Sequence, residues 1–252
     1  KLAYNERLFA GSKIRSSYHW ARYRWLNEQM RSSGVSSPRV IELGCFDAKT
    51  IDFMSAPPAY YLGLDAGWEN GVFKAMDRVK GNRSVELVPC TSPAEIPERG
   101  RFDVGVCMET LQHLSDDLAE SYLAKLSQLI EGRLFVTVPR ERGLVFVARR
   151  VTKAVLFGRA RIPYTWRELL MLSLGKTEKV QRNEYKGFDE RRLIRTISRH
   201  FEIEKICSVF PPLFPLGLSF TIGIVAASRR ASCAFPIQHS ASVGRPAVNA
   251  AN

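Results

Sequence analysis

The segments RVIELGCFDA (residues 39–48) and YLGLD (residues 61–65) contain the pattern that decides the fold. An apolar strand turns sharply at Gly44 into a helix, and a second apolar strand ends on Asp65. Glycine lets the backbone approach a ligand closely because it carries no Cβ. A carboxylate at the end of the second strand can accept hydrogen bonds from two ribose hydroxyls. This layout predicts a nucleotide-type pocket at the carboxyl edge of a parallel sheet.

Apolar runs of strand length alternate with helical patterns along most of the chain, which predicts an α/β, doubly wound sheet. The predicted strands are 39–43, 60–64, 85–88, 102–107, 133–138, 201–209 and 218–227. The predicted helices are 4–33, 48–54, 72–79, 115–130, 165–174 and 188–200.

The first segment resembles motif I of class I S-adenosylmethionine-dependent methyltransferases, whose pattern is acid-x-Gly-x-Gly-x-Gly. Glu42 and Gly44 match that pattern, whereas Phe46 and Ala48 stand where the family usually has glycine.

Later segments are similar to the same family in their order and spacing. They are FDVGVCMETLQHL (102–114), GRLFVTVP (132–139), KGFD (186–189) and the helix and strand that follow it. The resemblance covers about residues 36–227. It implies a Rossmann-like seven-stranded sheet with strand seven antiparallel, and S-adenosyl-L-methionine as the cofactor.

The resemblance also implies roles for individual residues. Glu42 would orient the methionyl ammonium, Gly44 would pass the methionine moiety, and Asp65 would hold the ribose hydroxyls. The other cofactor-binding candidates are Cys45, Phe46, Ala66, Cys90, Thr91 and Met108, and Gly67 would lie near the adenosine. The family often has an acid after strand three, and the corresponding positions Cys90 and Thr91 lack one.

His113 and Glu109 are the catalytic candidates because they follow strand four, near the predicted position of the methyl group. Histidine titrates in the range that suits a general base, and Glu109 could orient the substrate. A base is needed only if the acceptor must lose a proton. Structural roles for both residues stay open.

Charge is unevenly distributed over the 252 residues, whose net charge is +12. Residues 35–139 hold 10 Lys/Arg against 15 Asp/Glu, whereas residues 140–199 hold 16 against 6. The basic excess indicates either contact with an anionic surface or substrate, or a solvated basic face.

The five cysteines have no CxxC spacing, so we interpret them as buried thiols in a reducing, cytoplasmic compartment and expect no metal site. The chain begins at Lys1, which leaves open whether its true N-terminus is present. No signal peptide or clean transmembrane span is visible.

Three regions are expected: an N-terminal helical segment (1–35), a methyltransferase domain (36–227) and a disordered tail (228–252). Within the domain, residues 140–187 form a basic, cap-like insertion. Its residues Tyr164, Trp166, Arg167, Arg182, Glu184 and Tyr185 are candidates for an acceptor pocket. The basic segment 149–161 could also place the protein at the periphery of an anionic membrane.

These features favour methyl transfer to a small-molecule or lipid-like acceptor, with no specific nucleic acid as partner. A nucleic-acid methyltransferase is an alternative, because arginines and aromatic residues alternate in residues 15–25. A non-catalytic S-adenosylmethionine-binding protein is another, because the glycines at Phe46 and Ala48 are lost. The sparse glycine pattern argues against a nicotinamide-dependent oxidoreductase.

Overall fold

A mixed β-sheet forms the centre of the computed structural model, which describes residues 13–157, 164–183 and 186–230. Within these residues the sheet has seven strands in the order β3-β2-β1-β4-β5-β7-β6. Strands β1 to β5 pair in parallel, and β7 runs antiparallel to β5 and β6, between which it lies. The strands are β1 (Arg39–Leu43), β2 (Tyr60–Asp65), β3 (Val85–Pro89), β4 (Phe102–Met108), β5 (Ile130–Pro139), β6 (Phe201–Phe210) and β7 (Thr221–Ser228). The predicted fold class is confirmed.

Helices cover both faces of this sheet. Helices α1 (Lys13–Ser32) and α2 (Gly71–Arg78) lie on one face, and α3 (Asp116–Leu129) and α6 (Glu190–His200) lie on the other. Helices α4 (Leu144–Phe157) and α5 (Trp166–Ser173) belong to the segment 140–187. The helix predicted at 48–54 is instead a short 3-10 helix, Lys49–Phe53. Ala48 adopts a left-handed conformation just before it, and the prolines at 57 and 58 leave little room for further turns.

Two apolar clusters fill the space between the sheet and its helices. One packs α3 and α6 against the sheet through Leu123, Leu126 and Ile197. The other lies under α1 and α2 and includes Trp25 and Phe135. Because both faces are buried there, the central strands β1, β2 and β4 are nearly continuous apolar runs, whereas the edge strand β6 carries exposed charged residues.

Helix α1 is fixed to the last strand pair. A Cβ added at Gly223 of β7 would lie 2.4 Å from the Trp25 ring, so the indole rests directly on the strand backbone. The Trp25 Nε1–H also donates a hydrogen bond of 3.2 Å to Cys207 Sγ on β6. The described part of the predicted N-terminal helix therefore belongs to the packed structure.

The segment 140–187 carries α4 and α5 and has an apolar core of its own around Phe146, Tyr164 and Leu172. Glu141 anchors it by accepting hydrogen bonds of 2.7 Å from both Arg150 and the Tyr164 hydroxyl. The domain limits and the cap-like role of this segment stay predictions. Residues 158–163, 184, 185 and the tail from 231 onward lie outside the described residues.

The apolar run 207–227 forms the β6–β7 pair, as predicted. In the described part of the chain, no helix is long and apolar enough to cross a membrane. Cys45, Cys90 and Cys107 are buried free thiols and Cys207 is half-buried, whereas Cys233 lies outside the described residues.

Candidate functional site

The carboxyl ends of β1 to β4 meet at one edge of the sheet and bring the predicted site residues together. The backbone N–H groups of Gly44 and Cys45 both donate to Leu64 O, at 2.7 and 3.1 Å. The Cys90 N–H donates to Asp65 O at 2.8 Å. The three loops that follow β1, β2 and β3 are therefore joined by backbone hydrogen bonds.

The loop after β1 keeps left-handed backbone geometry at alternate positions. The φ angles are 79° at Gly44, 49° at Phe46 and 53° at Ala48. Left-handed φ costs a residue with a side chain about 1–2 kcal/mol. Phe46 and Ala48 replace the family's glycines in residue type, but the loop retains the conformation that glycine would favour.

The Phe46 ring turns away from the loop towards the segment after β2. A Cβ at Gly71 would lie 2.4 Å from that ring, and the ring centroid is 5.7 Å from that of Trp68. Trp68 itself is 56% exposed. Phe46 is thus half-buried against α2, next to an exposed aromatic surface that the sequence analysis did not single out.

Asp65 joins the loops after β1 and β2. Its Oδ2 accepts from the Phe46 N–H at 2.9 Å, and its Oδ1 accepts from the Gly67 N–H at 2.8 Å. Each carboxylate oxygen has a second acceptor position. Ala66, the next residue, is exposed. The carboxylate is therefore held in one orientation by the protein and can accept two further hydrogen bonds.

Glu42 is buried, and both of its oxygens are engaged by hydroxyls. Thr50 Oγ1 donates to Oε1 at 2.8 Å, and the Tyr61 hydroxyl donates to Oε2. Burial raises the pKa of Glu42 to about 7. The side chain lies in the interior, so a ligand ammonium would reach it only through the remaining acceptor positions or a bridging water.

An acid that the sequence analysis missed lies after β3. The Glu95 carboxylate accepts hydrogen bonds from the backbone N–H groups of Thr91 (2.6 Å) and Ser92 (3.1 Å). The sequence contained a signal for this contact, because a serine followed three residues later by a glutamate is the pattern of a capping box, which Ser92 and Glu95 form. Cys90 is buried, and its thiol donates to Ser92 O.

The two catalytic candidates differ in burial. His113 is exposed, at the end of the short 3-10 helix Leu111–His113. The Glu109 side chain projects inward from a residue with a φ of 54°, and burial raises the pKa of its carboxyl to about 7. Met108, just before it, is buried in the cluster under α1.

Several polar groups surround Glu109 that the sequence analysis did not connect with it. Buried side-chain oxygens of Glu109 (Oε1), Gln112 (Oε1) and Thr137 (Oγ1) have no hydrogen-bond partner within the described residues. Thr137 O accepts from the Glu109 N–H at 2.9 Å, and Gln112 Nε2 donates to Glu109 Oε2 at 3.4 Å. Unpartnered buried oxygens are rare in native proteins, so this cluster is a candidate ligand contact.

Helix α1 and the insertion complete the electrostatic surroundings of this cluster. The positive charges of Arg22 and Arg149 oppose the rise in the pKa of Glu109 that burial causes, whereas the negative charge of Glu141 adds to it. The charges of Glu109 and Arg149 also affect the pKa of Tyr18, which burial raises to about 12. The Tyr18 hydroxyl accepts a hydrogen bond of 2.9 Å from Thr221 Oγ1.

Residues of the insertion that were predicted to form an acceptor pocket have mainly structural contacts. The Tyr164 hydroxyl is bonded to Glu141, and Arg182 donates to Asp116 and to Leu114 O. Trp166 and Arg167 are exposed, and positions 184 and 185 lie outside the described residues.

No family model matches the chain. It is 27% identical over 116 residues to the ubiquinone biosynthesis O-methyltransferase of Escherichia coli O7:K1, covering 45% of this chain and 48% of that protein. The Salmonella typhimurium enzyme of the same name also matches at 27% identity over 116 residues, with 45% and 47% covered. The chain thus spans about half the length of the curated relatives it matches.

Solved structures match over a longer range. Magnesium protoporphyrin IX methyltransferase from Synechocystis PCC 6803, crystallised with SAH, has a TM-score of 0.58 at 13% identity, covering 88% of this chain and 91% of that one. An S-adenosylmethionine-dependent methyltransferase from Clostridium acetobutylicum has a TM-score of 0.56 at 9% identity, with 82% and 90% covered. The chain therefore has the class I methyltransferase fold.

Proposed function

We propose that this chain is an S-adenosylmethionine-dependent methyltransferase that acts on a small-molecule acceptor bearing a hydroxyl group. One observation carries the proposal: Asp65 bridges the loops after β1 and β2, and the loop after β1 has left-handed backbone geometry at Gly44, Phe46 and Ala48. The named relatives support it, since they are O-methyltransferases of a small molecule.

The residues at the sheet edge fit this cofactor. Asp65 would accept hydrogen bonds from the two ribose hydroxyls, and Ala66, Gly67 and the exposed Trp68 would border the adenosine. Gly44 and Cys45 would border the methionyl part, with Glu42 reaching its ammonium. Thr91, Cys90 and Met108 would complete the site. When bound, the cofactor supplies a methyl group that is already activated by a sulfonium.

Glu109 is better suited than His113 to handle the proton of the acceptor. Its pKa of about 7 matches a general base at neutral pH, and its Oε1 has no partner within the described residues. In our proposal, Oε1 takes the proton that the acceptor hydroxyl loses, and Gln112 and Thr137 orient the acceptor. The exposed His113 is the second candidate for that role.

The structure does not favour the alternatives. Among the aromatic residues between the arginines of α1, Tyr23 and Trp25 are buried, and the 36% exposed Trp20 packs edge-on against Phe53. The described part of α1 therefore offers no row of exposed rings on which bases could stack. The retained loop geometry removes the main reason for expecting a closed, non-catalytic site. A lipid-like acceptor remains part of the proposal. The insertion 140–187, which contributes Arg149 near Glu109, is basic and carries exposed apolar residues such as Leu144 and Leu170.

Calorimetry with S-adenosylmethionine tests the cofactor site. We expect micromolar binding by the native chain and a loss of about tenfold or more, roughly 1.4 kcal/mol, in Asp65→Ala. Asp103→Ala is the matched control, because Asp103 also accepts a backbone hydrogen bond, from the Arg39 N–H at 2.8 Å, but at the amino edge of the sheet. Absence of binding at millimolar cofactor would refute the proposal.

Turnover then tests catalysis separately. Release of the demethylated cofactor is measured against a panel of phenols, catechols and other hydroxyl-bearing acceptors. Glu109→Gln should abolish the turnover found with the native chain while cofactor binding stays within about twofold, which is below 0.5 kcal/mol. If His113→Asn abolished turnover and Glu109→Gln kept full activity, His113 would be the base instead.

A further inference from the structure

The loop between β6 and β7 presents apolar side chains to solvent at the carboxyl edge of the sheet. Leu213 is fully exposed, and Phe214, Leu216 and Leu218 are each exposed by more than 40%. Residues 206–228 contain no charged side chain. Apolar side chains clustered in this way, rather than scattered singly, mark a contact surface.

Basic residues border this loop. Arg140 donates to Leu216 O, and the Arg149 guanidinium lies 5.1 Å from the ring centroid of Phe220. Residues 140–157, which lead from Arg140 through α4, hold five Lys/Arg against one Asp/Glu. Arg140 and Arg142 pair with Glu190, and Arg149 and Arg150 pair with Glu141, so these four arginines and two glutamates leave a net charge of +2 beside the uncharged apolar tip.

We propose that the β6–β7 loop inserts into the interfacial region of a bilayer that contains anionic lipid. An apolar tip enters the region between headgroups and acyl chains, while a basic flank is attracted to anionic headgroups. Leu213 is fully exposed, so it can enter a bilayer without any change in the packing of its own chain. The sequence pointed instead to residues 149–161, of which 158–161 lie outside the described residues.

The loop also lies next to the cluster around Glu109. Thr221, just after the loop, donates a hydrogen bond to the Tyr18 hydroxyl. The positive charge of Arg149, which borders the loop, interacts electrostatically with both Glu109 and Tyr18. Docking would therefore bring the acceptor side of the site to the membrane surface. This last consequence rests on the proposed function, whereas the docking itself does not.

Co-sedimentation with vesicles tests the docking independently of any methyl transfer. The native chain should pellet with phosphatidylcholine vesicles that contain phosphatidylglycerol and pellet much less with phosphatidylcholine alone. The double variant Leu213→Ser/Phe214→Ser should bind the anionic vesicles about tenfold or more weakly. Circular dichroism should show the same fold in this variant, because both positions are surface-exposed.

Val35→Ser is the matched control, because Val35 is an exposed apolar residue at the amino edge of the sheet. This variant should bind the vesicles as the native chain does. Absence of native binding to either vesicle would overturn the proposal. Equal binding by the double variant would overturn it too, since attraction would then be due to charge alone. Self-association that the double variant abolishes, without vesicle binding, would assign the loop to a contact between copies of the chain.

Discussion

Replacement of Gly44 by alanine tests the cofactor loop most directly. Gly44 has a φ of 79°, and a Cβ there would lie 2.0 Å from Thr110 Oγ1 and 2.7 Å from Thr110 Cβ. The left-handed backbone costs alanine about 1–2 kcal/mol, partly offset by about 0.4–1 kcal/mol from the stiffer unfolded chain. Displacement of the Thr110 side chain adds about 1–3 kcal/mol. Together these contributions give an expected loss of about 1–4.6 kcal/mol in unfolding free energy.

Gly34→Ala separates these two contributions. Gly34 has a similar φ of 72°, but a Cβ added there would have none of the described atoms within 4 Å. Its variant should therefore lose only about 0–1.6 kcal/mol of unfolding free energy in urea denaturation. Equal losses for the two variants would refute the role of Thr110.

A second variant identifies the contact itself. Thr110→Ala should recover about 1 kcal/mol or more when combined with Gly44→Ala, although the remaining Cβ keeps the recovery incomplete. If the losses of unfolding free energy in the two single variants simply added up in the double variant, the predicted contact would be contradicted. Cofactor affinity of Gly44→Ala should fall together with stability, because Gly44 borders the proposed methionyl site.

Three further predictions concern other parts of the molecule. Ala48→Gly should change urea stability by less than about 0.5 kcal/mol, because relief of its left-handed φ of 53° offsets the loss of about one buried methyl; a loss above about 1.5 kcal/mol would contradict this. Burial raises the pKa of Glu109 from 4.5 to about 7, so the native chain binds its proton more tightly than the unfolded chain and loses stability as pH rises through that window. Glu109→Gln should therefore gain relative stability between pH 5 and pH 8, and a pH-independent difference in urea denaturation would argue against the shift. Glu141→Gln weakens hydrogen bonds to Arg150 and Tyr164, so amide exchange in α4 and α5 should quicken about tenfold while β4 is unaffected.

Strand positions followed closely from the sequence because buried parallel strands are apolar on both faces. Phe102–Met108 was placed within one residue, whereas β5 begins at Ile130 rather than at the predicted Arg133. Ile130 follows α3 without a loop and pairs with Phe102, and a register shift follows between Phe102 and Val104. Such an irregularity depends on the partner strand and has no local sequence signal.

The cofactor side of the candidate site was also accessible from the sequence, because Gly44 and Asp65 mark the ends of adjacent strands. The surroundings of Glu109 were not. Arg22 and Tyr18 come from α1, and Thr137 comes from β5, so only the tertiary packing brings them near Glu109. At Phe46 the residue type alone was misleading. The family's glycine is replaced there, but the left-handed φ angle that glycine would favour is kept.

The position of β7 has a consequence for synthesis of the chain. β5 and β6 each pair with β7 and not with one another, so a nascent chain that ends before residue 221 has two strand edges without their shared partner. Helix α1 is made before all seven strands, but Trp25 rests on Gly223, which lies in the last of them. Closure of the sheet and docking of α1 must therefore wait until the ribosome has released β7. Until then, the exposed strand edges are sites where a chaperone or a neighbouring nascent chain can bind.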